Sequence, residues 1–329
     1  MSELGLLIFS IGIESSVGII LFLAIVKLKN KDSIKKLPII IATAFIIIGV
    51  FAYWLNLGQP FKMVNTLKNI KTSWLSRAIL FSGILATLNV INAIITFVRP
   101  SQRITQIILT LLAVAIGLTG LSKEILFFGI LIALIVVNAI ITFVKPSSRL
   151  AQNIFIWLSA VIGLIDIAII GNVYTFTGIP SRNGITTFVN FYTSVILIGG
   201  ILYYSSDYRH QTEKSKKLIG AAILLALIVQ IVSEILYRSN LSALGAAGSA
   251  SEKLLYGNGI LVVLKYLFAV FAVIFFFWKG IGEKRYNGRK LIKVGNEAKL
   301  LAVAFIIVSA IISKYLFYTV FITTKIGRI

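Results

Sequence analysis

The chain has 329 residues, is 58% hydrophobic and has a mean hydropathy of +0.97, well above the roughly 45–50% apolar usage of water-soluble domains. This composition excludes a soluble globular protein. Apolar runs that each need about 20 residues to cross a bilayer core occupy nearly the whole sequence. The formal charge of +21 does not point to nucleic acid, because the Lys and Arg residues sit in short loops between apolar runs and form no continuous basic face.

Read in chain order, the first apolar run opens at Leu4 behind Glu3. It lacks a basic leader and a small-residue cleavage site, which fits a retained helix better than a signal peptide. Hydropathy predicts ten transmembrane helices, over 4–28, 37–57, 76–98, 104–120, 121–144, 150–173, 186–206, 217–238, 259–279 and 298–322. The expected fold is therefore all-α, a polytopic transmembrane bundle forming a single integral membrane domain over residues 1–329. All five prolines (Pro38, Pro60, Pro100, Pro146 and Pro180) fall at helix ends or in loops. Broken helices of the kind that build transporter sites are not expected.

A tandem repeat runs through the middle of the chain. Residues 75–118, opening LSRAILFSGILATLNVINAIITFVRPSQR, recur as 121–164, opening LSKEILFFGILIALIVVNAIITFVKPSSR, with NAIITFV identical in both. A duplicated helix pair adds two crossings and leaves the orientation of everything downstream unchanged. With the N-terminus outside, 20 of the 32 Lys and Arg residues face the cytoplasm, against ten outside and two (Lys265, Lys314) within helices. The positive-inside rule then predicts a multi-pass protein of the cytoplasmic (inner) membrane with both termini outside.

Ionisable groups within the bilayer are costly and are functional candidates by default. Glu14 lies about ten residues into the first helix, roughly 15 Å along its axis. Asp166, Lys265 and Lys314 lie within later helices, where a helix-to-helix hydrogen bond or ion pair is as good a reading as a functional one. The single histidine, His210, sits in a charged loop, and there is no cysteine. The chain itself thus offers neither a histidine pair for haem nor thiolates for an iron–sulfur cluster. Any electrons it handles pass through a bound small molecule or a partner subunit.

The outer segment between the second and third helices reads Asn56-Leu57-Gly58-Gln59-Pro60-Phe61-Lys62, then Asn65-Thr66-Leu67, then Ser73-Trp74-Leu75-Ser76-Arg77. It resembles the signature loop of the dimethyl sulfoxide reductase membrane-anchor family, approximately His-Leu-Gly-x-Pro-x-Arg, Asn-x-Leu and Ser-x-Leu-Ser-Arg-Glu. Three further patches are similar: Phe9-Ser10 followed by Glu14, Val173-Tyr174 ahead of Pro180, and Lys314 with Phe317-Tyr318. Family members typically have eight helices, so ten is eight plus the duplicated pair. The sequence departs from the family pattern at Asn56 for His, Lys62 for Arg and Ala78 for Glu. The second repeat copy carries a carboxylate at Glu124.

The resemblance implies a membrane anchor that oxidises menaquinol or a similar quinol near the outer ends of the first helices. It also implies docking of an iron–sulfur subunit on the outer loops, chiefly 57–77 and 174–186, from which electrons reach a molybdopterin catalytic subunit. The residues it implies for quinol binding are Asn56, Lys62, Asn65, Ser76, Arg77 and Tyr174. Glu14 and Glu124 would be proton acceptors in place of the family's His and Glu, since Asn56 can hydrogen-bond a quinone carbonyl but takes no proton near neutral pH. Two other readings remain open: a transporter or channel with a polar path through Glu14, Asp166 and Lys265, and an anchor that has lost quinol chemistry.

Overall fold

The computed structural model describes residues 3–29, 36–56, 72–98, 149–175, 179, 182, 184–207, 211–241, 245–278 and 293–320. Among them the secondary structure is helical: α1 (Glu3–Lys29), α2 (Lys36–Asn56), α3 (Trp74–Val98), α4 (Arg149–Thr175), α5 (Ile185–Asp207), α6 (Glu213–Leu241), α7 (Gly245–Gly257), α8 (Gly259–Phe277) and α9 (Lys293–Thr319). Seven of these are long and apolar enough to cross a membrane, and α3 adds a shorter apolar stretch over Trp74–Val90. Helices are what hydropathy demands here, because a backbone in hydrocarbon must satisfy its own N–H and C=O groups. Eight of the ten expected helices are present within a few residues of their predicted bounds. The expected helices 104–120 and 121–144 lie outside the described residues.

The chain forms two compact units, Met1–Val173 and Tyr174–Ile329. In the first unit α1 packs on α2 and α2 on α3, and α1 is the most enclosed of the seven spans. The α1–α2 crossing rests on two glycines. A Cβ built on Gly12 would lie 2.6 Å from the Phe45 carbonyl oxygen and 2.8 Å from Gly49 Cα. Small residues let two helix backbones approach this closely, and in lipid such packing replaces the hydrophobic drive that water would provide. One turn from Gly12, the rings of Phe9 and Tyr53 pack at 4.7 Å. On the α4 side, Gly163 receives the Val17 methyls, with a hypothetical Cβ only 2.8 Å from one of them.

In the second unit α5 packs on α6 and α9, and α8 on α9 and α6. The outward faces of α6 and α8 present Leu225, Ile228, Ile235, Ile260, Val263 and Phe277. This surface is apolar where a soluble protein would be polar, as a lipid-facing wall requires. Hydropathy did not anticipate α7. Its sequence, GAAGSASEKLLYG, is rich in Gly, Ala and Ser and reads as an outer loop. Gly245 opens it at φ +78°, a left-handed conformation that only glycine adopts at no steric cost. Leu255 of α7 then joins Leu241, Val262, Leu316 and Val320 in an apolar cluster. That burial holds α7 as a helix where propensity alone would not.

The charge asymmetry leads to a topology experiment in this cysteine-free chain. Single cysteines at Asn30, Ser101, Ser147 and Asn287 should be protected from an impermeant thiol reagent added outside, and those at Thr66 and Asn183 should react. Labelling of only one of Ser101 and Ser147 would contradict the duplicated-pair topology.

Candidate functional site

Polar side chains are concentrated inside the first unit. Ser10, Glu14, Ser15 and Ser16 on α1, Ser82 and Asn89 on α3, and Ser159 and Asp166 on α4 are all buried. The Ser82 hydroxyl donates to Asp166 Oδ2 at 2.8 Å. The Asn89 amide donates to Ser16 Oγ at 3.3 Å and to the Leu85 carbonyl at 3.1 Å, while Thr43 on α2 donates to the Asn89 carbonyl at 3.1 Å. Buried polar groups cost free energy unless hydrogen-bonded, and these bonds tie three helices to α3 in the interior of the unit. Glu14 is 1% exposed. Ser10, four residues earlier in α1, shares its face.

Ser76 and Arg77 lie in the first turn of α3. Ser73 caps that turn: its hydroxyl accepts the Ser76 backbone N–H at 3.3 Å and its carbonyl accepts that of Arg77 at 3.2 Å, as an N-cap serine does. The Arg77 guanidinium sits 4.3 Å from the Trp74 ring centroid, a cation–π contact. Ser16, two residues beyond Glu14, bonds to Asn89, and Asn89 lies about 20 Å along the α3 axis from Ser76 at 1.5 Å per residue. Glu14 is thus set well below the turn that carries Ser76 and Arg77, and the two do not form one first-contact cluster. Asn56 is the last residue of α2. Lys62, Asn65 and Glu124 lie outside the described residues.

Tyr174 belongs to the second unit. Its hydroxyl shares a 2.8 Å hydrogen bond with that of Tyr318, and its ring stacks on Phe191 at 5.8 Å and meets the edge of Phe317 at 5.0 Å. The Arg182 guanidinium adjoins this aromatic group, 5.1 Å from the Phe317 centroid, and its Nη2 donates to the Phe317 and Tyr318 carbonyls at 3.1 and 3.2 Å. A helix end whose last carbonyls are capped by Arg is satisfied both by hydrogen bonding and by the helix dipole. Lys314 Nζ lies 3.9 Å from the Phe191 centroid. Treating Arg182 as an ordinary outer-loop charge misses this role, since nothing in the local sequence pairs it with residues 135 positions away.

Of the three intramembrane groups that sequence left open, Asp166 and Lys265 are paired with other helices. Asp166 is hydrogen-bonded to α3, and Lys265 Nζ is 3.1 Å from Glu234 Oε2. Tyr266 donates to the same carboxylate oxygen at 3.0 Å, and Arg238 Nε is 3.7 Å from its other oxygen. Glu234 was not singled out from sequence because it falls near the end of a helix, beside Arg238, where a solvated i,i+4 pair is the ordinary expectation.

A sequence model of the DMSO reductase anchor subunit (DmsC) family matches residues 1–119 and again 114–320. The two matched stretches overlap at 114–119, where the first copy of the repeat gives way to the second. No curated protein matches the chain. With nearly the whole of a multi-pass helical chain covered, this protein belongs to the DMSO reductase anchor subunit family.

Proposed function

We propose that the chain is a quinol-oxidising anchor: it binds menaquinol or a similar quinol near the outer ends of α1–α3 and delivers electrons to an iron–sulfur partner subunit. The family match over 1–119 and 114–320 is the observation that carries this reading. A quinol loses two electrons and two protons on becoming a quinone, so a site needs an electron acceptor within reach and a base for the protons. The electrons leave to the partner, docked chiefly on 57–77 and 174–186, and through it to a molybdopterin catalytic subunit.

In this reading Asn56 and Lys62 orient the quinol oxygens, with Asn65, Ser76 and Arg77 as further contacts, and Glu14 and Glu124 accept protons, Glu14 through a relay from the outer end and not by direct contact with the quinol. The interior of the first unit is suited to the proton step. Glu14 is buried on α1 with Ser10 one turn nearer the helix start, so a hydroxyl lies on the line between the outer end and the carboxylate. Phe9 and Tyr53, packed against one another with their rings tilted by 33° at that level, offer an aromatic wall of the kind that quinone rings pack against.

The test is quinol oxidation by the assembled complex. Glu14→Gln should lower turnover by about 10²-fold, the lower end of what a positioned general base contributes, and Glu14→Gln with Glu124→Gln should lower it further. Full turnover in both single variants and in the double would remove these carboxylates from the mechanism.

A further inference from the structure

The second unit contains a pocket of about 70 Å³ that the quinol reading does not use. It lies at one end of the unit: the start of α5 contributes Asn190, the second half of α6 contributes Gln230, Ser233 and Glu234, the first half of α8 contributes Lys265, and Arg182 precedes α5. Leu255, Leu316 and Phe317 make its apolar side.

The chemistry of this lining is one-sided. Its charged groups are two cations, Arg182 and Lys265, against one carboxylate, Glu234. That carboxylate already accepts from both Lys265 and Tyr266 through Oε2 and faces Arg238 through Oε1. Gln230 donates to Asn190 Oδ1 at 2.9 Å, which engages the Asn190 oxygen and leaves its amide N–H groups as what it offers. The hydroxyls of Ser233 and Ser313 add donors. A space lined by donors and a net positive charge, in a wall of low dielectric, is matched by a ligand with several acceptor oxygens and negative charge. A volume of about 70 Å³ accommodates a few waters or one tetrahedral group, well short of the several hundred Å³ that ring-bearing ligands occupy.

We infer that this pocket binds a phosphate group, with Arg182 and Lys265 as its cationic contacts and Asn190 and Ser233 as hydrogen-bond donors. The lining runs from the ends of these helices to about three turns inward, so a phospholipid headgroup could enter it from the interface. The same chemistry would take a free phosphate. The site lies entirely in the second unit and stands whether or not the first unit oxidises quinol.

The experiment uses the full chain, delipidated in an uncharged detergent, with its thermal midpoint followed as dihexanoyl phosphatidylglycerol, dihexanoyl phosphatidylcholine or inorganic phosphate is titrated at constant ionic strength. A saturable rise with a phosphate-bearing probe is expected, with apparent affinity at least tenfold weaker in Arg182→Gln and in Ser233→Leu, which fills the space while keeping both cations. A rise with inorganic phosphate assigns a free-anion site. A rise with the lipids alone assigns a headgroup site. The absence of a saturable rise with every probe would overturn the inference, as would a rise of equal affinity in Ser233→Leu. Ser233→Leu keeps the test decisive should Arg182→Gln fail to fold.

Discussion

Lys265→Met should destabilise the second unit by about 3 kcal/mol, and Lys265→Met combined with Glu234→Gln should recover most of that loss. The single change leaves the Glu234 carboxylate in the bundle without the ammonium 3.1 Å away. Removing one partner of a buried ion pair typically costs about 3–5 kcal/mol, while replacing both by neutral groups of similar size is often close to neutral. The lower end of that range applies because Arg238 at 3.7 Å and the Tyr266 hydroxyl at 3.0 Å still face the carboxylate. The Lys265 backbone carbonyl also accepts from Ser309 on α9 at 2.8 Å, a bond that the substitution keeps. Reversible unfolding in bicelles, run as a double-mutant cycle, gives the coupling directly. Strictly additive losses in the double variant would show that the pair is not a unit.

Gly12→Ala and Gly83→Ala should have opposite consequences although both replace a helical glycine by alanine in the first unit. At Gly12 the added carbon meets backbone: the Phe45 carbonyl oxygen at 2.6 Å and Gly49 Cα at 2.8 Å. Backbone atoms cannot rotate aside, so α1 and α2 must separate and lose the contacts made between them. Overpacking of this kind costs about 1–3 kcal/mol. At Gly83 a Cβ meets nothing within 4 Å, and alanine gains up to about 1 kcal/mol of helix propensity over glycine. Thermal unfolding of the two variants in the same detergent should separate them in sign. A Gly12→Ala protein as stable as the parent would mean that the α1–α2 crossing is looser than the structure has it.

Much of this protein was determined by sequence alone. Membrane residence follows from the energetics of burying about 20 apolar residues at a time, and that signal is read without knowing what any helix touches. Bounds for eight helices, the repeat at 46-residue spacing and the family resemblance in the 56–77 segment are likewise local in the chain. Glu14 and Asp166 could be picked out because a carboxylate in an apolar run is conspicuous wherever it points.

What each polar group does was decided only by the tertiary structure. Asp166 is bound to Ser82, 84 residues away, and Lys265 is bound to Glu234 across two helices. Arg182 caps the end of α9. In each case partners separated by 31 to 136 residues are brought together by helix packing, and no periodicity along the chain records which faces will meet. The same holds for α7, whose Gly-, Ala- and Ser-rich sequence forms a helix because Leu255 is buried against Leu241, Val262 and Leu316. Its stability comes from that long-range burial, not from the local preferences that sequence reading can weigh.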